Sequence, residues 1–286
     1  MREDQELRSL KRGLRVLTLL NQTDTIAITQ LARQLGFPRT TTERILLTLV
    51  AEGYVQRVPD EKRYRLSAKV CSLAGGFSED CRLIETANPL LFRVTRTMGW
   101  PLAIATPFGD RMVLRSTTDA ATSLWLNRRR VGAEIATLNA SSGLVALAFA
   151  TAAEQDALVE VLRESSHPLN QERSATRQSL DMLLEPVRKN GFAFQPPPNN
   201  NPEQSISLPL FVGGRYVASL LMIYMTRAMS SAMVVERYVP QLRALADQIS
   251  TATTAREQID LDEPTAIPWM PQMGAWQSSG PVAVPA

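Results

Sequence analysis

Gly36-Phe37-Pro38 is the segment that most restricts how this chain can fold. Before it, Ile28, Leu31, Ala32 and Leu35 recur at helical spacing and mark the inward face of a short helix. After it, Ile45, Leu46 and Leu49 do the same for a helix over about residues 38–52. Glycine enters the left-handed conformation that ends a helix at little cost, and proline loses nothing in a first helical turn. Only Gly36 and Phe37 separate the two helices, so the turn is sharp: a helix-turn-helix. Upstream, Leu7, Leu10, Leu14, Leu17 and Leu20 form one apolar stripe on a first helix, with Lys11, Arg12 and Arg15 off it. Downstream, Gly53 ends the third helix. Residues 54–58 and 63–66 then read as strands around the turn Pro59-Asp60-Glu61. A hairpin directly after the third helix is a wing.

The polar residues of this unit point to a polyanion. Arg39, Thr40, Thr41 and Arg44 occupy the first two turns of the third helix, away from its apolar side. Arginine can take guanine O6 and N7 with both arms, and threonine can bond a phosphate or touch a thymine methyl. The alternative is an ordinary solvated helix face. The wing shifts the balance, because Arg57, Lys62, Arg63 and Arg65 fall where phosphates flank the groove. Residues 1–70 carry 13 Lys and Arg against 8 Asp and Glu, whereas the rest carries 18 against 20. The positive end is therefore the end that would meet double-stranded DNA. A recognition helix this short reads few bases, so a homodimer or tetramer on a pseudo-palindromic operator is expected.

The remainder reads as α+β. Leu66 to Phe77 suggests a helical link stopped by Gly75-Gly76, with 69–82 as the linker helix between domains 1–68 and 83–258. A helix over about 83–98 shows an apolar face of Leu83, Leu90, Leu91 and Val94, and Pro89 is a potential kink. Hairpins are expected at 102–116 around Gly109-Asp110 and at 206–224 around Gly213-Gly214. Helices are expected at 153–163, 175–190 and 231–253. Five prolines in 262–286, with Gly and Ser, suggest a disordered tail over 259–286. Cys71 and Cys81 lack a CxxC or histidine cluster and read as two separate buried thiols.

Several function classes fall away. The most apolar run, 217–225, is too short for a membrane span and contains Ser219. No apolar segment follows Met1-Arg2-Glu3-Asp4, which suggests a cytoplasmic chain. The one histidine, His167, sits beside Pro168 without a GxSxG elbow, and no P-loop, GxGxxG or HExxH is present. Neither catalysis nor a cofactor is implied.

The chain resembles the IclR family of bacterial transcriptional regulators. The likeness lies in Leu10–Leu17, Leu31–Leu35, Gly36–Thr41, Leu49–Tyr54, Tyr64–Leu66, Ser141–Phe149 and Ser205–Met229. Tyr224-Met225 and Ala228-Met229 carry a narrower likeness to activators of aromatic-acid catabolism of the 3-hydroxyphenylpropionate type. The resemblance implies a winged helix-turn-helix joined to a GAF-like domain that binds a small organic acid, with RNA polymerase as a further partner of an activator. The matching effector positions are Ser141, Ser142, Gln195, Ser205, Leu221 and Ile223. Free N–H groups at a helix start suit a carboxylate at Ser141-Ser142, although serines there also cap helices. Leu221 and Ile223 are apolar where small-acid members carry hydroxyls, which suggests a larger, aromatic acid. Arg130 or Arg128 is a candidate partner for its carboxylate, and Trp125 for its ring.

Overall fold

The computed structural model describes residues 7–59, 61–74, 79–174, 177–195 and 202–262. The N-terminal unit comprises α1 (Arg8–Asn21), β1 (Ile26–Ala27), α2 (Ile28–Leu35), α3 (Arg39–Ala51), β2 (Val55–Val58) and β3 (Arg63–Leu66). α2 ends on Gly36 at φ 67°, and the Phe37 N–H closes the turn on the Ala32 carbonyl. Pro38 stays extended just outside α3, and its carbonyl accepts both the Thr42 N–H and the Thr42 hydroxyl. β2 and β3 pair antiparallel, with Val55 opposite Leu66 and Val58 opposite Arg63. The two-residue β1 adds a third strand on β3, too short to leave a periodic signal in the sequence.

Val16, Leu20, Ile26, Leu31, Leu46 and Val55 form the core of this unit. That corrects the expected stripe on α1 in part: Leu17 and Leu20 do pack inward, and the other three leucines do not. Leu7, Leu10 and Leu14 are 70%, 58% and 55% exposed, while Val16 and Leu20 face inward. At 100° per residue the three exposed leucines lie roughly 130° round the helix from Val16 and Leu20. The helix has two apolar faces, and this domain buries one.

The link also differs from expectation. Residues Ala68–Ala74 form a 3-10 helix, and α4 (Glu79–Met98) begins inside the range expected for the linker. Cys71 is exposed, not buried. The tail expected from residue 259 starts too early, because the last helix runs on to Asp262; Gly75-Gly76 and the residues beyond 262 lie outside the described residues.

The C-terminal domain continues with β4 (Leu102–Phe108), β5 (Arg111–Thr117), β6 (Glu134–Ala136), α5 (Ser141–Phe149), α6 (Ala152–Arg163) and α7 (Pro168–Ser174). Then come α8 (Arg177–Asn190), β7 (Ala193–Phe194), β8 (Glu203–Val212), β9 (Arg215–Met225) and α9 (Ser231–Asp262). Both expected hairpins form. They join through β4 and β9 into one antiparallel sheet in the order β6-β5-β4-β9-β8-β7. The near-continuous apolar run of β9 reflects burial on both faces. Leu220, Met222 and Tyr224 pack with Ile206, Leu208 and Leu210 beneath α4 and α9. Leu221 and Ile223 point the other way, with Ala103, Ala105, Met112 and Leu114, toward the start of α5. Strand alternation thus divides the domain into a dense core on one side and, on the other, the walls of a cavity.

Candidate DNA interface and ligand pocket

The start of α3 presents Arg39, Thr40 and Arg44 exposed and Thr41 half-buried. Its core side is fixed by Leu46, fully buried, with Ile45 and Leu49 packed beside it. On the wing, Arg57, Lys62 and Arg65 are exposed. Lys62 sits in the hairpin turn with a left-handed φ of 48°. Arg65 reaches across the strands to the Gln56 side chain at 3.4 Å. Among the described residues, Arg39, Arg44, Arg57 and Lys62 make no ion pair, so their charges face solvent uncompensated. Arg12 and Arg15, outside the expected set, lie 5.6 and 5.0 Å from the Phe37 ring centroid and extend the basic surface around the turn.

Arg63 departs from its expected role. Its Nε donates to Thr25 Oγ1 and its Nη2 to the Thr25 carbonyl, both at 2.7 Å. The guanidinium fastens the wing to the loop before α2, so Arg63 is committed to the fold. Alternation places it on a strand but cannot show that β1 brings Thr25 alongside.

The cavity in the C-terminal domain has a volume of about 290 Å³. Ala105, Met112, Leu114, Leu221 and Ile223 supply its apolar wall. Ser142, Gln195 and Ser205 line it as expected. Ser141 is fully buried and fastens the start of α5 to β8 instead, its Oγ lying 2.8 Å from Ser205 Oγ and 2.7 Å from Ser207 Oγ. α5 starts after Ala140, which offers no side-chain cap. The Gly143 and Leu144 N–H groups donate to the Ala140 carbonyl at 3.1 and 3.2 Å, which leaves those of Ser141 and Ser142 without an intrahelical acceptor or a capping oxygen. Ser142 Oγ is fully buried and has no hydrogen-bond partner. An acceptor entering here meets the positive end of the helix dipole and an unused hydroxyl. Close packing makes this geometry rigid: a Cβ at Gly143 would overlap the Thr137 carbonyl.

The polar far side of the cavity was not anticipated. Glu203, at the start of β8, lies on the same strand face as Ser205 and Ser207, an i, i+2, i+4 series. Its carboxylate accepts from the Leu126 N–H at 2.7 Å and from Arg129 Nη2 at 2.7 Å. The Arg129 N–H in turn donates to Asp119 Oδ2 at 2.6 Å. Of the three consecutive arginines it is Arg129 that lines the cavity. Arg130 turns away and pairs with Asp24 at 2.9 Å. Arg128 is not among the lining residues, nor is Trp125, whose indole N–H donates to the Thr122 carbonyl at 2.8 Å. Each consecutive loop residue takes its own direction here, and no periodicity reports which arginine turns inward.

A winged helix with exposed basic residues on its third helix and wing, joined to an α+β domain that holds a partly open cavity, is the architecture of a DNA-binding transcriptional regulator. Among described residues no helix is long and apolar enough to cross a membrane. The chain belongs to the IclR family: residues 9–59 match the IclR helix-turn-helix domain, and residues 78–251 match the bacterial transcriptional regulator IclR C-terminal domain. Members of these families are regulators and not enzymes. The acetate operon repressor of Salmonella typhimurium is 28% identical over 101 residues, covering 35% of this chain and 37% of that protein. The Escherichia coli regulator XynR is 22% identical, covering 79% of this chain and 89% of its own. The match to the acetate operon repressor thus spans only about a third of that relative's length. Among solved structures, a transcriptional regulator from Rhodococcus shares the fold at TM-score 0.66 and 22% identity, covering 88% of this chain and 100% of that one. An IclR homologue from Microbacterium hydrocarbonoxydans, complexed with 4-hydroxybenzoate, matches at TM-score 0.65 and 23% identity, covering 86% of this chain and 99% of that one.

Proposed function

We propose that this regulator answers a small aromatic carboxylic acid bound in the cavity, and that it acts as an activator. The observation that carries the ligand reading is the cavity itself. It combines an apolar wall of Met112, Leu114, Leu221 and Ile223 with an uncapped helix start and the unpartnered Ser142 hydroxyl. A single ring with one carboxylate suits about 290 Å³, at the lower limit of ordinary ligand pockets. The 4-hydroxybenzoate bound by the Microbacterium homologue is a ligand of this chemistry. The sign of regulation follows the narrower sequence resemblance; the acetate operon repressor bears a name of the opposite sign, so a repressor answering a different small acid is the second reading.

In this reading Arg39, Thr40, Thr41 and Arg44 contact base edges and adjacent phosphates, and Arg57, Lys62 and Arg65 hold the backbone beside the groove. The protein works in the cytoplasm as a homodimer or dimer of dimers, and an activator of this kind also touches RNA polymerase. The exposed face of Leu7, Leu10 and Leu14 supports self-association, since apolar groups in this number are seldom left in water without a partner.

Mobility shift of the DNA flanking the gene tests the reading, run at several salt concentrations with and without 3-phenylpropionate and 4-hydroxybenzoate. Specific retention that an acid alters supports it, and transcription from that fragment gives the sign. Specific retention that no aromatic acid alters removes the effector assignment.

A further inference from the structure

We propose that residues 126–133 form a coupling strap that links the state of the cavity directly to the DNA-binding domain. The proposal rests on the cavity being the effector site, and adds the route by which it acts. The strap is built from contacts that alternate between the two domains. Glu203 on the cavity wall holds the Leu126 N–H and the Arg129 guanidinium. Asp119 holds the Arg129 N–H. The next residue, Arg130, pairs with Asp24 in the loop between α1 and β1. The residue after it, Val131, gives its carbonyl to Asn21 Nδ2 at 2.9 Å, at the end of α1. Gly132 then returns to the sheet, donating to the Leu114 carbonyl at 2.8 Å, and Leu114 donates to the Ala133 carbonyl at 2.9 Å. Leu114 and Ala133 both line the cavity.

Residues 126–133 thus run from the cavity, to the DNA-binding domain, and back to the cavity wall. The close approach is specific. Gly132 adopts φ 85°, and a Cβ there would come within 3.0 Å of Asn21 Nδ2. Arg129 is the pivot: among the described residues its side chain pairs with Glu203, and the two side chains are 24% and 3% exposed. A carboxylate that enters the cavity competes with Glu203 for this guanidinium. Any resulting shift of Arg129 moves the backbone that carries Arg130 and Val131. The loop held by Asp24 and Asn21 leads through β1 straight into α2, the helix before the recognition helix. A ligand can bias the DNA-binding domain by this route only if it binds the docked and undocked strap with different affinity.

The test uses hydrogen exchange by mass spectrometry on the full chain, and it needs no ligand. Glu203→Gln removes the anionic hold on Arg129 from inside the cavity. Exchange should rise at residues 126–133 and also at residues 20–27. Arg130→Gln, outside the cavity, should raise exchange at 20–27 and at 126–133 by about two- to fivefold, the scale of one exposed ion pair; it serves if Glu203→Gln does not fold. If the response to Glu203→Gln stays within residues 119–135 and 202–206, with 20–27 unchanged, the strap does not couple the domains. Titration calorimetry with 4-hydroxybenzoate separates this from the effector assignment. Binding heat with no change at 20–27 overturns the strap. Absence of heat overturns the aromatic-acid reading, and the Glu203→Gln result then decides the strap alone.

Discussion

Two helical glycines should respond to the same substitution with opposite sign. Gly13 lies in the middle of α1, and a Cβ added there meets nothing within 4 Å. Gly13→Ala should stabilise the N-terminal domain by about 0.5–1 kcal/mol, through the backbone freedom that alanine removes from the unfolded chain. Gly143 lies in the first turn of α5, and helix propensity alone predicts a gain there too. Its Cβ, however, would overlap the carbonyl oxygen and carbon of Thr137 and crowd the Thr137 methyl. The nearest atoms are backbone, so no side-chain rotation relieves them. The start of α5 or the Thr137–Asn139 turn must move, which puts the cost at the upper end of overpacking, about 3 kcal/mol. In a C-terminal domain of this size that corresponds to a fall of roughly 6–12 °C in Tm. Because a two-domain chain need not unfold in one step, calorimetry on the full chain should be read transition by transition. The same shift displaces Ser142 and the free N–H groups, so acid binding should be lost in protein that remains folded. A Gly143→Ala chain with unchanged Tm, or a raised one, would falsify the close approach of α5 to Thr137 and the rigid helix start inferred from it.

The wing arginines should separate by assay. Arg63→Ala loses two hydrogen bonds from a charged donor and should destabilise the N-terminal domain by about 1–2 kcal/mol in urea titration. Arg57→Ala should leave stability unchanged and reduce the slope of log K against log salt by about one; a stability loss in the second variant and none in the first would reverse the assignment. Arg44→Ala should weaken specific DNA binding more than non-specific binding, and equal losses measured on operator and random DNA would make it a phosphate anchor. Ile223→Ser should weaken binding of an aromatic acid about tenfold by calorimetry, and no change would take the ring away from that wall. The Ser165 hydroxyl beside Asp110 holds its carboxyl below the usual carboxylate range, with Arg111 assisting. A depressed folded pKa contributes stability above the ordinary value near 3.8, and that stability is lost as pH falls through the folded value. Ser165→Ala should therefore cost stability at neutral pH and flatten the acid limb of the stability curve; parallel curves for the two proteins would refute the linkage.

What the sequence made legible follows from where periodic signals exist. Gly36, Pro38 and the apolar face of α3 locate the helix-turn-helix to within a residue, because termini and faces of helices have strong chemical preferences. The strand pairs 102–116 and 206–224 were readable from their turns. The error on α1 has a simple cause: Leu10 and Leu14 repeat at helical spacing as faithfully as Val16 and Leu20, and spacing does not say which face meets a neighbour. The effector side chains carried by regular elements, Ser142, Ser205, Leu221 and Ile223, do line the cavity. Gln195, just past β7, lines it too, while Ser141 on α5 is turned to Ser205 and Ser207; Trp125 and Arg130, on the 122–133 loop, do not line it, because the direction of that loop is set by distant partners such as Asp24, Asp119 and Glu203. Glu203 itself was within reach of alternation, since it continues the face of Ser205 and Ser207.

The energetics of the strap limit what it can accomplish. Asp24 is 79% exposed at its side chain and Arg130 is 30% exposed, so their pair contributes about 0.2–1 kcal/mol. The neutral Asn21 bond to Val131 adds a similar amount. Docking therefore favours one arrangement of the DNA-binding domain by a factor on the order of 10, and a ligand acting through the strap cannot alter DNA affinity by more than that per chain. In a dimer the two straps act on one operator, and their contributions multiply to a factor on the order of 100 if both undock together. This turns the oligomeric state into a quantitative question. A regulatory response much above tenfold, measured as the change in operator affinity at saturating acid, requires two coupled chains or a second route through the 3-10 link at Ala68–Ala74. Asp24→Asn separates these: it should cut the response by the ion pair's share, up to about fivefold, if the strap is the main route, and leave it intact if the link carries the signal.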